Sequence, residues 1–262
     1  MTFANRIAFF VFALCVISGR SQAQEIDRPF VLHLPGIGGQ LAIDHWMTDG
    51  LRDGREIELD IYDWTGDSRG LEALLNVDRN LAQANLIAER IEKFVRQNPT
   101  RPFHLVGHSG GTGIAVWALE RLPEDVQIES LTMLASALSP SYDLSAALAR
   151  VKRAYAFNSR LDTIVLGLGT KALGTIDGVQ TEAAGCVGFT MPAGADAAQC
   201  AKLVQFPYQL GWIRLGHIGD HIGVMGVRFS RGVLAPLIFD GESPAAEEKQ
   251  AAEDPENTAM KN

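Results

Sequence analysis

The apolar run from Phe30 to Leu34 stops at Pro35-Gly36-Ile37-Gly38-Gly39, which predicts a strand feeding a glycine-rich turn. Glu56 to Trp64 alternates, with Ile57, Leu59 and Ile61 on one face, so a second strand is expected there. From Asp78, read as a cap, Leu81, Ala84, Ile87, Ile91, Phe94 and Val95 recur at helical spacing to about Arg96, and Asn98-Pro99 closes the helix. Phe103 to Val106 reads as a buried strand and Gly113 to Leu122 as a helix ended by Pro123. The alternation continues with a strand over Ile128–Leu134, a short helix over Leu144–Ala149 and a strand over Val151–Phe157. A last strand is expected over Lys202–Tyr208 and a last helix around Val224–Leu237. Val165 to Ala201 is rich in Gly and Ala, carries no clear period, and is expected to run over the active site.

Strands alternating with helices point to an α/β class: three layers, a mostly parallel central sheet, helices on both faces. With 47% hydrophobic and 21% charged residues, the 262-residue chain has ample material for one large core. The expected organisation is a signal peptide over residues 1–23, one domain over 24–240 and an acidic, disordered tail over 241–262. Arg6 provides the basic start, Ile7 to Ile17 the apolar stretch, and Ser21-Gln22-Ala23 the small residues before a cut. That apolar stretch is short for a bilayer, so no stable membrane span is expected after cleavage. The reading is an exported protein, periplasmic or secreted. Cleavage would remove Arg6 and Arg20 and no acid, taking the formal charge from −8 to −10. Such a surface disfavours nucleic acid as a partner. In an oxidising compartment, Cys186 and Cys200 are close enough in sequence to be a candidate disulfide.

The strongest local signal is Gly107-His108-Ser109-Gly110-Gly111, a G-x-S-x-G sequence between an apolar strand and a helix. A strand that enters a helix through one sharp turn strains its middle residue and exposes the Ser109 hydroxyl beyond the sheet edge. A serine needs a base, and six histidines are available. His33 and His104 lie within strands, His45 on a surface helix, and His108 next to the serine but pointing away from it. His217 and His221 share the loop before the last helix, and His221, at the loop-to-helix junction, is preferred as base. Asp162, just past Val151–Phe157, is preferred as its acid, with Asp143 as the alternative. Asp220 adjoins His221, and adjacent side chains rarely face each other. Negative charge on an attacked carbonyl needs donors, for which the backbone N–H groups of Gly110 and Ile37 are the candidates.

The segments Leu34-Pro35-Gly36-Ile37-Gly38-Gly39 and Gly107-His108-Ser109-Gly110-Gly111, with Asp162 and His221, resemble the α/β-hydrolase superfamily of lipases, esterases and thioesterases. The similarity covers roughly residues 28–238 in element order. It implies a Ser-Asp-His triad and an acyl-enzyme, with a carboxylic ester, lipid-like ester or thioester as substrate. Pro35-Gly36 departs from the His-Gly that many members carry. Acyl transfer on the same triad and a non-catalytic binding protein are the competing readings. No phosphate-binding loop occurs, and His217 and His221 lack the glutamate of a zinc helix, so no cofactor or metal is expected.

Overall fold

The computed structural model describes residues 28–162, 169–191 and 196–243. The proposed signal peptide and all of the tail beyond residue 243 lie outside them. Six strands form one sheet in which every neighbouring pair is parallel, in the order β2-β1-β3-β4-β5-β6. They are β1 (Phe30–Leu34), β2 (Glu58–Ile61), β3 (Phe103–His108), β4 (Ile128–Leu134), β5 (Val151–Asn158) and β6 (Leu203–Pro207). All five residues of β1 and all six of β3 are buried, as expected of parallel strands covered on both faces. The edge strands β2 and β6 are mostly half-buried.

Helices α1 (Ala42–Arg52), α2 (Leu71–Leu75), α3 (Val77–Gln97), α4 (Gly110–Glu120) and α5 (Ser145–Ala149) connect the first five strands. The chain moves from β1 outward to β2, then back past β1 to β3 and onward. Right-handed crossovers therefore put α1 on one face and α3, α4 and α5 on the other. Contacts agree: α4 packs on α3 and α5, and α1 packs on the C-terminal helix. That helix runs from Val227–Phe229 through Ser230–Leu234 and Pro236–Asp240, the last two stretches in π form. Pro236 has no N–H to give to a normal helical turn, and the wider turn accommodates it.

Several boundaries differ from the expected ones. β2 is shorter than Glu56–Trp64 because its partner runs out: Phe30 to His33 pair with Glu58 to Ile61, after which Tyr62 N–H closes on His33 C=O. The cap of α3 is Asn76, whose side chain accepts the Arg79 N–H, in place of Asp78. α4 starts at Gly110, before the expected Gly113, since burial of its whole first turn outweighs glycine's poor helix propensity. The expected helix over Val224–Leu237 opens instead with a 3-10 turn, Gly223–Met225.

The Gly- and Ala-rich excursion contributes α6 (Thr170–Leu173), α7 (Ala184–Val187) and α8 (Ala197–Cys200). The disulfide expected between Cys186 and Cys200 is not formed, and both are free thiols. Cys186 is buried on α7, which packs on β5, whereas Cys200 sits on α8, which packs on α5. The two helices are held by different elements.

Candidate active site

The sheet order reverses between β1 and β3, and a crevice at the C-terminal ends of such strands is where ligands bind in open α/β sheets. The loop after β1 and the turn after β3 meet there. Ser109 follows β3 directly, with φ 52 and ψ −121, a conformation that non-glycine residues adopt only under constraint, and it is buried at 6% exposure where an exposed hydroxyl was expected, because the loop after β1 and Ile37 close over the turn. Its backbone is held by three other residues. Its N–H donates to Leu134 C=O at 2.9 Å, and its C=O accepts from the Thr112 hydroxyl at 2.6 Å and from Ala137 N–H at 3.2 Å. Thr112 in turn bonds the Ser136 hydroxyl at 2.8 Å. Ala135, between β4 and Ser136, is the other strained non-glycine residue, with φ 48.

His221 Nδ1 lies 2.6 Å from Asp162 Oδ2. A carboxylate accepts, so Nδ1–H donates, and Nε2 keeps its lone pair free to take a proton. Asp162 is 3% exposed and its imidazole partner half-buried, so the contact is shielded from competing water. His108 stands beside them: its Nε2–H donates to His221 C=O at 3.1 Å, and the two rings lie 4.9 Å apart. Burial first, and then the neighbouring imidazole of His221, hold His108 well below the usual histidine range, so it is neutral. The sequence reading treated His108 as a bystander, whereas the structure makes it a brace for the His221 backbone. Among the described residues, no hydrogen bond joins the Ser109 hydroxyl to His221. Bonds of this kind are often long before substrate tightens a site.

The alternatives fall elsewhere. His217 is buried in an aromatic cluster, stacked on Trp212 at 5.7 Å and edge-on to Tyr208 and Phe229, and its Nδ1 accepts Gly219 N–H. Asp143 is exposed and accepts the N–H of Ser145 at the start of α5. Neither forms a hydrogen bond with Asp162 or His221, although His217 lines the same small cavity as Asp162.

The loop from Pro35 to Leu41 closes the other side. A side chain at Gly36 would stand 3.3 Å from Ser109 Cβ and 3.7 Å from its Oγ, so this backbone approaches the serine as closely as glycine permits. Ile37 packs its side chain over Gly110. No hydrogen bond among the described residues uses the N–H of Ile37 or of Gly110. Ile176, from the excursion, covers Gly110 and Gly113, which confirms that this segment passes over the start of α4. Nothing in its composition marked Ile176 out.

A family model described as the alpha/beta hydrolase fold matches residues 66–184, a span that includes Ser109 and Asp162. Over those residues the chain matches that family, and its parallel sheet with flanking helices has the α/β-hydrolase fold. No curated protein matches it in sequence. Among solved structures it is similar to lipase B of Aspergillus fumigatus, with 12% identity, TM-score 0.51, 80% of this chain covered and 52% of that one. The chain thus spans about half the length of that lipase, and at this identity the likeness shows the fold alone. Lower scores relate it to a Trichoderma reesei cutinase (13% identity, TM-score 0.40, 89% and 91% covered) and to an acetylxylan esterase (12%, 0.39, 69% and 82%).

In this fold the glycines of the elbow are dictated by backbone. A Cβ on Gly111 would lie 2.3 Å from Leu34 C=O oxygen and 2.4 Å from that of Pro35, and neither can move without shifting β1. Gly111→Ala is therefore expected to destabilise the protein by about 3 kcal/mol or more, read as a lower urea midpoint. Unchanged stability would show that β1 and β3 are not packed as described.

Burial also pushes His104 and His217 down to about 4. Unfolded histidines titrate near 6.5, so between those values the unfolded chain binds protons that the folded chain refuses. Stability should be whole above pH 6.5 and fall as the pH drops towards 4, with His108 acting in the same direction. Urea unfolding at pH 7.5 and pH 4.5 should differ by a few kcal/mol. Equal midpoints would mean that these rings are hydrated.

Proposed function

We propose that this protein is a serine hydrolase that cleaves carboxylic esters through an acyl-enzyme on Ser109. The observation that carries the reading is the 2.6 Å bond from His221 to a buried Asp162, beside an elbow whose serine is held at positive φ. Asp162 orients His221, and its charge stabilises the imidazolium. His221 Nε2 removes the hydroxyl proton as Ser109 Oγ attacks the carbonyl carbon. The N–H groups of Ile37 and Gly110 bind the oxyanion, with the N-terminus of α4 adding its dipole. His221 then hands its proton to the leaving alcohol. Water, deprotonated by the same imidazole, releases the acid and restores the serine.

The acyl partner is a small-molecule or lipid-like ester, and thioesters fit the same chemistry. Export through the N-terminal segment, cut near Ala23, belongs to the same proposal. Among the described residues no helix is long and apolar enough to cross a membrane.

A fluorophosphonate probe tests the reading without knowledge of the substrate. The protein is expected to be labelled at Ser109 alone, and pre-treatment with the probe should abolish ester turnover. Labelling elsewhere, or none in folded protein, would leave a binding protein on a hydrolase fold as the better description.

A further inference from the structure

Outside the residues given chemical roles above, the core holds a second histidine–aspartate contact. His33 and Asp44 are 0% and 1% exposed, and His33 Nε2 lies 2.7 Å from Asp44 Oδ1. The other carboxylate oxygen, Oδ2, accepts the N–H of Leu41 at 2.7 Å, and Asp44 N–H returns to Leu41 C=O at 3.1 Å. His33 Nδ1 lies 3.2 Å from Val106 C=O, on the strand that leads into Ser109. One carboxylate thus grips both ends of the loop that carries Ile37, while its imidazole partner touches the strand that carries the nucleophile.

A buried polar pair of this kind is weak evidence for stability, because apolar residues of the same volume often serve as well or better. Its placement suggests another purpose. An oxyanion donor is effective only when it is already aimed at the developing charge, and a displacement of about 1 Å can cost roughly a hundredfold in rate. Neither His33 nor Asp44 reaches the reacting atoms.

We propose that His33 and Asp44 are positioning residues that set the distance between the Ile37 N–H and the Ser109 hydroxyl by clasping the two ends of the loop to β1 and β3. This rests on the serine-hydrolase reading above. The rest of the loop is fastened separately: Trp64 Nε1–H donates to Pro35 C=O at 2.7 Å, Gly70 N–H to Ile37 C=O at 2.7 Å, and Gln40 N–H to Asp63 at 3.1 Å. Loss of the clasp should loosen the loop without unfolding the domain.

The test compares His33→Leu, which removes the tie, with His33→Gln, whose side-chain N–H can still reach Asp44. For p-nitrophenyl butyrate, His33→Leu should lower kcat roughly ten- to hundredfold while KM changes by less than about twofold, the mark of an interaction made only in the transition state. His33→Gln should recover most of kcat. Amide hydrogen exchange over residues 36–41 should run about tenfold faster in His33→Leu, with β3 unchanged, and return towards wild type in His33→Gln. Asp44→Asn, which can accept from only one of the two donors, carries the same comparison should His33→Leu not fold. The proposal is overturned if His33→Leu keeps kcat and loop protection, or if His33→Gln loses as much as His33→Leu. Absence of ester turnover in the wild type would defeat the hydrolase reading, and the exchange measurement would still decide the clasp.

Discussion

Ser109→Ala is expected to lower kcat/KM for any ester substrate by about 10⁵-fold while leaving the folded structure intact, because the proposed acyl bond is made to its hydroxyl. The size follows from the division of labour. Oxyanion donors and binding would still favour attack by water, which leaves a residual rate of about 10³–10⁴ over the uncatalysed reaction. Ser109 Oγ is no member of the supporting network, which runs through its backbone to Leu134, Thr112 and Ala137. The strained φ of 52 is kept by alanine, so stability should change by less than about 0.5 kcal/mol. Steady-state kinetics with p-nitrophenyl esters of several chain lengths, alongside thermal melting, provide the check. A folded variant that retains more than a tenth of the activity would place the chemistry elsewhere.

The second large effect is expected at Asp162. An Asn there keeps the size but offers an amide N–H, or a weaker acceptor, to His221 Nδ1. The imidazole would then favour the proton on Nε2, where it faces Ser109 and cannot accept, so kcat should fall by about 10³–10⁴-fold near neutral pH. KM should move little, since Asp162 is buried and its carboxylate is engaged by the imidazole. Asp143→Asn changes only an exposed acceptor for the Ser145 N–H, a role the amide oxygen can keep, and should leave kcat within a factor of two or so. Equal losses in the two variants, or a loss confined to Asp143→Asn, would reverse the assignment of the acid.

Much of this arrangement was legible before any coordinates, for identifiable reasons. β1 and β4 lie where the apolar runs placed them, since buried parallel strands announce themselves by continuous hydrophobicity. The elbow was legible because sterics leave no option but glycine at 107 and 111, where a Cβ would meet backbone within 3 Å. Asp162 and His221 follow Ser109 in the order the superfamily template requires, and their side chains do meet.

What was not legible depended on partners distant in sequence. β2 ends where β1 ceases to pair with it, and the start of α4 is decided by packing against propensity. The spacing of Cys186 and Cys200 suggested a bridge, but the helices that carry them dock on different elements. His33 reads as a strand residue of the core and His108 as an elbow neighbour pointing away from Ser109, and both are buried. Their bonds to Asp44 and to the His221 carbonyl are invisible to periodicity, because the fold brings each partner in.

A covalent bond between Ser109 Oγ and the acyl group of an ester is tested directly by rapid acid quench during turnover of a p-nitrophenyl ester. Mass spectrometry is expected to find the acyl group on the peptide containing Ser109, at a level that tracks the burst of nitrophenol. Burst and turnover without any acylated Ser109 peptide would contradict it.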